Sequence, residues 1–395
     1  MFRFSAHDER DLINFLGDMV RIPSLSAQEG AMAARLAEEM HRVGFQDVYT
    51  DHMGNVVGRI GPGPGPVLLF NGHMDVVNVG NPEAWQRAPF GAEVENGVMY
   101  GRGTVDMKGA LAAMVYAAKA LIEADSPLAG TVYVVGVVQE EPSEGMAMRM
   151  LVEEGGLRPD FVVLGEPTNL DVSRGQRGRI EMQVTLSGRS CHSSTPEQGE
   201  NALYAAARLI FGIELLAPRL LNDPVLGQGT IAVTDVQTVA CSRNAIPDLC
   251  RLAIDRRLTL GETETRSLNE IRQIINREEI KAEVAVGESE AVSYTGHRFR
   301  YREYYPAWLM EEDHPLVRSA MRASERAIGR RPRLTTWGFS TDGVYTMGQA
   351  SIPTIGFGPG EERFAHTSQE QIRLADVLKA AKVYAQLAVE VLGTR

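Results

Sequence analysis

Apolar positions in the first part of the chain follow two alternating spacings. Residues 8–20 and 28–43 carry apolar side chains at helical spacing, which predicts two amphipathic helices. Short apolar runs at 66–71, 130–138 and 161–165 predict buried strands, and the alanine-rich segment 107–124 predicts a long helix. This alternation predicts an α/β fold with an open, mostly parallel sheet and helices on both faces.

The pattern changes near residue 179. Residues 179–187 alternate polar and apolar positions, which predicts a strand with one face in solvent. Further α+β elements follow, with helices at 201–216 and 264–277 and strands at 229–236, 249–258 and 281–286. The α/β character returns with a helix at 313–328, a strand at 353–357 and a helix at 370–392. We therefore predict one α/β domain in two parts, 1–178 and 296–395, interrupted by a smaller α+β domain at 179–295.

Composition excludes several classes of protein. The 395 residues are 44% hydrophobic and 23% charged, which is typical of globular chains rather than of disordered, collagen-like or coiled-coil ones. A net charge of −11 argues against nucleic-acid binding. Three cysteines are too few for a disulfide framework, and the absence of a CxxC spacing excludes a structural zinc knuckle. Because the chain has neither a signal-peptide pattern nor a long apolar run, we expect a cytoplasmic protein without a membrane partner.

Histidines and carboxylates follow several of the predicted strands. His73 and Asp75 are two residues apart after strand 66–71, so they point to the same side of an extended chain. The others are Asp106 before helix 107–124, Glu140 and Glu141 after strand 130–138, Glu166 after strand 161–165, and His366 after strand 353–357. Taken singly, each has an ordinary structural explanation, such as a helix N-cap for Asp106. Together they lie at the strand ends where open α/β sheets bind ligands, and two imidazoles with several carboxylates suit zinc, with cobalt or manganese as alternatives.

Five motifs in this order resemble one family over nearly the whole chain. They are GHMD at 72–75, GRGTVDMKG at 101–109, QEEP at 139–142, GEPT at 165–168 and the histidine of FAHT at 364–367. The family comprises dinuclear-zinc aminoacylases, acetylornithine deacetylases, succinyl-diaminopimelate desuccinylases and glutamate carboxypeptidases. The stretches QEEPSEG and GRSCHSSTPE resemble most closely a branch described as selenium-metabolism hydrolases.

The resemblance implies roles for these residues. One metal would be held by His73 and Glu166, the other by Glu141 and His366, and Asp106 would bridge them. The resemblance also implies a cis peptide bond between Asp106 and Met107. It further implies that Asp75 orients His73 and that Glu140 is the general base. The inserted domain would contribute His192, commonly to the partner subunit, as an oxyanion-stabilising group. Substrate contacts would come from Asn244, Arg177, Arg257, Ser340 and Thr341, and Asp342 would belong to the same site-lining loop as the last two.

Some features stay open at this level. Arg177 and Arg257 are also explained as solvated surface arginines. The thiol of Cys191 beside His192 suggests nucleophilic catalysis, which a complete metal set makes unnecessary. The aromatic stretch 294–308 is a hinge, a packed seam or a substrate wall.

These patterns lead to one main functional hypothesis. We predict a metal-dependent amidohydrolase with two Zn²⁺ per subunit that cleaves an N-acyl amino acid or a short peptide by means of metal-activated water. The alternative within this class is a dipeptidase or aminopeptidase. A metal-stabilised binding protein without catalysis is the remote alternative, because Glu140 and all five ligand positions are retained. A homodimer through the inserted domain is expected.

Overall fold

The computed structural model of the protein describes residues 2–124 and 128–394. Its helices are α1 (Ala6–Arg21), α2 (Gly30–Arg42), α3 (Gly109–Ile122), α4 (Met146–Glu153), α5 (Ala202–Leu216), α6 (Glu264–Arg277), α7 (Pro315–Ile328), α8 (Gly343–Thr346) and α9 (Leu374–Leu392). Its strands are β1 (Asp47–Thr50), β2 (Val56–Ile60), β3 (Val67–His73), β4 (Glu93–Glu95), β5 (Val98–Tyr100), β6 (Thr131–Val137), β7 (Phe161–Leu164), β8 (Val172–Gln176), β9 (Gly178–Ser187), β10 (Asn222–Asp223), β11 (Gly227–Gln228), β12 (Thr230–Val239), β13 (Leu249–Leu258), β14 (Ala282–Val286), β15 (Glu288–Val292), β16 (Arg298–Arg302), β17 (Tyr304–Tyr305), β18 (Trp308–Leu309), β19 (Leu334–Trp337), β20 (Thr354–Gly356) and β21 (Gln371–Arg373).

The central sheet is mixed and mostly parallel. Strand β3 pairs in parallel with β6 on one side and β7 on the other, and β20 pairs in parallel with β7. Antiparallel strands extend both edges, with β2 and β1 beyond β6, and β8 and β18 beyond β20. Helices α3 and α9 pack on each other and on β3, and nearly all of α3 is buried. The predicted fold class is confirmed.

A second core is built on an antiparallel sheet of order β12-β13-β9-β14, with α5 and α6 packed against it. Strand β9 buries alternate residues, as the sequence pattern predicts. The buried residues of this core run from Ile180 to Val286, inside the predicted insert, although Tyr304 and Tyr305 of β17 also pair with β9 beyond residue 295. We keep 179–295 as a proposed inserted domain.

Some boundaries differ from the sequence expectations for identifiable reasons. Helix α3 begins at Gly109 rather than 107, because Asp106 and Met107 have non-helical backbone angles and the bond between them is cis. Asp106 is therefore not a helix cap. Helix α9 begins at Leu374 rather than 370, because residues Gln371–Arg373 pair with β5.

The aromatic stretch 294–308 is packed at both ends, whereas β16 in its middle exposes alternate residues. The hydroxyl of Tyr294 donates to the Gly54 carbonyl at 3.1 Å, and Tyr305 and Trp308 are buried. The stretch returns the chain from the second core to the central sheet, where β18 pairs with β8. In the described part of the chain, no helix has both the length and the apolar character needed to cross a membrane.

Candidate metal centre and substrate cleft

Two groups of potential metal ligands meet at the carboxyl ends of the parallel strands. His73, Asp106 and Glu166 form one triad, and Asp106, Glu141 and His366 form the other. In each triad one ligand atom per residue lies within 4.8 Å of the others. Asp106 belongs to both triads because its two carboxylate oxygens face different histidines. Its Oδ1 is 2.9 Å from His73 Nε2, and its Oδ2 is 3.1 Å from His366 Nε2.

The sheet explains this convergence. His73 is the last residue of β3, and Glu166 comes two residues after the end of its neighbour β7. The pair Glu140 and Glu141 follows β6, the strand on the other side of β3. Adjacent parallel strands end at one edge, so residues far apart in the sequence are brought together there.

Glu140 is in the same cleft and has a different environment from its neighbour Glu141. Its side chain is buried, and its Oε1 has no hydrogen-bond partner among the described residues. Burial raises the pKa of Glu140 well above its ordinary range, and the nearby Glu166 carboxylate adds to this effect. Glu141 instead faces His366, with Oε2 at 3.1 Å from Nε2. Of the two adjacent acids, Glu141 thus contacts a triad histidine, whereas Glu140 keeps one carboxylate oxygen without a hydrogen-bond partner among the described residues.

The Asp75 carboxylate is placed differently from the simplest expectation. The Nδ1 atom of His73 is 2.9 Å from the backbone carbonyl oxygen of Asp75 and 3.7 Å from its Oδ1. The carboxylate instead accepts the backbone N–H groups of Glu140 at 3.1 Å and Glu141 at 3.3 Å. Residue Asp75 therefore orients His73 through its main chain, while its side chain holds the turn that carries the two acids.

A buried ion pair supports the loop of Asp106. Glu370 Oε1 accepts the backbone N–H groups of Val105 at 3.0 Å and Asp106 at 3.2 Å. Its Oε2 accepts from Arg102 Nη1 at 2.5 Å. Burial raises the pKa of Glu370 to about 7, against the opposing effect of Arg102. Sequence reasoning missed Glu370, although it lies four residues after His366.

Crowding of like charges dominates the electrostatics of the two triads. Burial raises the pKa of Glu166 and of Glu141, and for both the Asp106 carboxylate raises it further. The hydrogen bond with Asp106 is the main cause that raises the pKa of His366 to about 10. For Asp106 itself, burial would raise the pKa, but the two histidines hold it below its ordinary range. Such a cluster of buried carboxylates favours cations.

The cleft in front of the triads has a volume of about 470 Å³, within the range of small-molecule sites. Four of the triad residues and Glu140 line it, while the buried His73 does not. The other lining residues are Glu144, Arg179, Arg257, Phe339, Ser340, Glu362 and Ala365. Glu144 accepts from Ser340 Oγ at 2.8 Å and from Arg179 Nη2 at 3.1 Å. Arg179 and Glu144, which sequence reasoning missed, link the second core to the turn after Glu141.

The expected substrate residues are only partly brought together. Ser340 and Arg257 line the cleft, and Arg257 also bonds to Asp255. Arg177 is near Arg257, and its Nη2 donates to the Gln228 carbonyl at 2.6 Å. The hydroxyl of Thr341 is fully buried and donates to Gln176 Oε1 at 2.6 Å, so its side chain is not exposed to the cleft.

His192 and Asn244 form a separate exposed pair on the second core. Asn244 Nδ2 is 3.4 Å from His192 Nε2, and the Asn244 carbonyl accepts the Ser193 N–H at 2.8 Å. Within the described ranges, neither side chain lines the cleft of the two triads. The thiol of Cys191 donates to the Thr195 carbonyl at 3.3 Å.

Asp342 is buried behind the cleft. Its two carboxylate oxygens accept from Asn71 Nδ2 and from the Gly145 N–H, each at 2.8 Å. These bonds connect the segment after Ser340 to β3 and to the residue before α4.

The family model described as Peptidase family M20/M25/M40 matches residues 69–390 of the chain. The chain belongs to this family. It is 40% identical over 386 residues to the uncharacterised protein YgeY of Escherichia coli (strain K12), covering 98% of this chain and 96% of that one. It is 31% identical over 391 residues to a succinyl-diaminopimelate desuccinylase of Methylorubrum extorquens, covering 93% and 96%.

Solved structures share the fold of this M20-family chain. Aminopeptidase PepT from Bacillus cereus superposes with a TM-score of 0.75 at 20% identity, over 97% of this chain and 98% of the other. A dinuclear metal-binding peptidase of the M20 family from Bacillus subtilis gives 0.73 at 18% identity, over 99% and 100%.

Membership confirms the resemblance found in the sequence and makes the protein a metal-dependent hydrolase of amide or peptide bonds. The residues of this M20 chain fit a metal. Each triad offers one imidazole nitrogen and two carboxylates at ligand spacing, a donor set that suits zinc. Glu140 lines the same cleft, and its Oε1 has no hydrogen-bond partner among the described residues.

Proposed function

We propose that this M20-family protein is a two-metal amidohydrolase that cleaves the amide bond of an N-acyl amino acid or a short peptide. The observation that carries the proposal is the pair of triads that share Asp106, with the unpartnered carboxylate oxygen of Glu140 in the same cleft. A site for a single ion would need only one of the triads.

In this proposal the five triad residues would hold the ions: His73 and Glu166 one, Glu141 and His366 the other, with Asp106 shared by both. Zinc fits the donor set, and cobalt and manganese are alternatives. When bound, the ions make water acidic enough to react near neutral pH and polarise the amide carbonyl.

Glu140 moves the protons. Its Oε1 takes a proton from the attacking water and gives it to the nitrogen of the departing amine. Its adjacent position to Glu141 places it next to the ions without making it a ligand. The backbone N–H bond to Asp75 keeps Glu140 in that place.

The walls of the cleft favour a substrate with a carboxylate. Arg257 lines the cleft, and Arg177 lies close to it, so a carboxylate would relieve the repulsion between the two guanidinium groups. An N-acyl amino acid carries such a group next to its amide bond. The similarity to a relative named succinyl-diaminopimelate desuccinylase supports deacylation as the proposed reaction over peptide cleavage.

We also propose a homodimer through the inserted domain. Tyr204, Phe211 and Leu215 of α5 are exposed, at 68%, 60% and 48%. The adjacent strand β12 is at the edge of its sheet and exposes Val236 and Val239. An edge strand with apolar neighbours is a surface for strand-to-strand pairing. In such a dimer His192 and Asn244 would be supplied to the partner's cleft.

The dimer is tested by Phe211→Asp. Sedimentation should change from two chains to one, and turnover should fall because the two subunits no longer supply each other's His192. A single-chain protein before mutation, with full turnover, would contradict this part of the proposal.

The central experiment is a substrate panel. Zinc-loaded and cobalt-loaded protein is incubated with N-acetyl, N-succinyl and N-carbamoyl amino acids and with dipeptides, and mass spectrometry identifies the products. Cleavage that a chelator abolishes identifies the substrate class and separates a deacylase from a dipeptidase. Glu140→Gln should lower kcat by about 10²- to 10⁴-fold while two ions stay bound, whereas the exposed control Glu154→Gln should not change kcat.

The opposite result is equally informative. If the protein binds two ions and cleaves no member of the panel, the proposed acyl-amino-acid and peptide substrates are wrong. If Glu140→Gln retains full turnover of a cleaved substrate, Glu140 is not the base.

A further inference from the structure

The turn that carries Glu140 and Glu141 is held by side chains from elsewhere in the chain. The backbone N–H of Val138 donates to Asn55 Oδ1 at 3.0 Å, and that of Gln139 donates to Glu29 Oε1 at 3.1 Å. The next two N–H groups go to the Asp75 carboxylate. Four consecutive N–H groups thus depend on three buried side chains rather than on a neighbouring strand.

Gln139 is the residue of this turn that most needs such support. It has φ of +52°, in the left-handed region that non-glycine residues rarely adopt. A backbone in that region persists only where surrounding contacts determine it. The bond from the Gln139 N–H to Glu29 is one such contact, and it immediately precedes Glu140.

Glu29 is suited to this role by its burial and its bonds. Its side chain is fully buried, and its Oε1 accepts from the Ala27 N–H at 3.0 Å as well as from Gln139. Its Oε2 has no partner among the described residues. Burial raises the pKa of Glu29 to about 7, with the Asp75 carboxylate adding to the shift. A buried carboxyl with one idle oxygen is costly, so its position needs a reason beyond packing.

The segment around Glu29 also holds the other side of the site. Ser26 Oγ donates to Asp75 Oδ2 at 2.8 Å, and Ser24 Oγ donates to the Met74 carbonyl at 2.6 Å. Residues 24–29 therefore contact the chain just after β3 and just after β6, beyond the last paired residues His73 and Val137.

We propose that Glu29 is a positioning residue that fixes the backbone of Gln139 and so places the carboxylate of Glu140 against the reacting water. This inference rests on the proposed function, because it requires Glu140 to be the base. Glu29 belongs to neither triad and does not line the described cleft, so it acts through the turn.

The test compares three substitutions at Glu29 with one at a buried carboxylate elsewhere. Glu29→Leu removes both acceptor oxygens, whereas Glu29→Gln keeps the oxygen that accepts the Gln139 N–H and replaces the idle one. Glu29→Ala leaves room for water and serves if the leucine variant does not fold. The control is Glu39→Leu, because Glu39 is also a fully buried carboxylate, on α2, but binds Arg35, Arg42 and Tyr116 away from the site.

We expect Glu29→Leu to lower kcat by about tenfold to a hundredfold, as outer-shell substitutions do, with two ions still bound. KM should stay within about twofold, because substrate contacts are unchanged. Glu29→Gln should restore kcat to within about threefold of the native protein, since the acceptor is retained. Glu39→Leu should lower the melting temperature without changing kcat.

Two results would overturn the inference. One is an unchanged kcat in Glu29→Leu, or in Glu29→Ala if only that variant folds, together with a lowered melting temperature. The other is a glutamine variant as impaired as the leucine variant, which would show that the acceptor is not what matters. Glu140→Gln is assayed beside them: if it is fully active, the proposed function itself fails, and the inference fails with it.

Discussion

The ion pair between Arg179 and Glu144 joins the second core to the wall of the cleft, and its removal has a calculable cost. Arg179 Nη2 is 3.1 Å from Glu144 Oε2, and Nη1 is 2.9 Å from Glu181 Oε1. The guanidinium also lies over the ring of Tyr305, 4.7 Å from its centroid. Arg179→Met keeps most of the aliphatic stem and removes the charge, together with the contacts to Glu181 and Tyr305, so the Glu144 contribution is separated by a double-mutant cycle.

The magnitude follows from what is left behind. Glu144 is mostly buried, and breaking a buried pair by removing one partner typically costs about 3–5 kcal/mol. If Arg179 is removed, Glu144 can bind a proton and become neutral. The loss of stability therefore cannot exceed the free energy of protonating Glu144, which is smaller at low pH. Burial already raises the pKa of Glu144, and loss of Arg179 would raise it further. A raised carboxyl pKa destabilises the folded protein as pH increases, so we expect about 3 kcal/mol at pH 8 and about 1 kcal/mol at pH 5.

The assay is unfolding by urea at both pH values, for Arg179→Met, Glu144→Gln and the double variant. The double variant should be more stable than additivity predicts by about 2 kcal/mol at pH 8, because no unpaired charge remains. Arg149→Met is the matched control, since Arg149 forms an exposed pair with Glu153 and should change stability by less than about 0.5 kcal/mol. A cost for Arg179→Met that is below about 1 kcal/mol at pH 8, or equal at both pH values, would refute this reasoning.

Three further predictions concern stability. Chelation should lower the melting temperature and remove turnover together, because the clustered carboxylates of the triads then repel each other; unchanged melting would contradict this. For Asp8, burial alone would raise the pKa, but bonds from Lys119 and Ser5 lower it to about 2. Asp8→Asn should therefore cost about 1–2 kcal/mol at pH 7, and the difference should vanish as pH falls from about 4 to about 2, as acid titration of unfolding would show. Arg256 is fully buried and lies 2.6 Å from Glu262. Arg256→Leu should therefore lower the unfolding free energy of the proposed inserted domain alone by about 3–5 kcal/mol. A calorimetric scan in which every unfolding transition shifts by the same temperature would argue against a separate domain.

Much of the fold could be predicted from the sequence where periodicity is strong and local. Helix α6 begins and ends at the predicted residues, and β13 does as well. Strands β2 and β8 were not predicted, because short segments that contain glycine have no distinct periodicity. The segment between β6 and the insert contains α4, which is also too short for a clear helical pattern.

The triad residues could be predicted because the geometry of a parallel sheet gathers strand ends. The position of the Asp75 side chain could not be predicted. Strand β3 ends at His73, so the alternation of side chains between the two faces of a strand no longer applies at Asp75. Arg177 and Arg179 are two residues apart, so strand alternation cannot distinguish them. Arg179 borders the cleft and pairs with Tyr305, a contact between distant parts of the sequence. The burial of Thr341 depends on Gln176, a contact across 165 positions that no local pattern encodes.

The order of the triad residues along the chain has a consequence for synthesis. His73, Asp106 and Glu166 precede the second core, whereas His366 follows it. A growing chain therefore possesses one complete triad long before the other. At about 5–20 residues per second, the ribosome needs roughly 10–40 s to pass from Glu166 to His366. During that interval the nascent chain contains every residue of one triad but lacks His366 of the other, and Glu370, which holds the Asp106 loop, has not yet been made. The supported form of both triads therefore becomes available only when the last part of the chain has been synthesised.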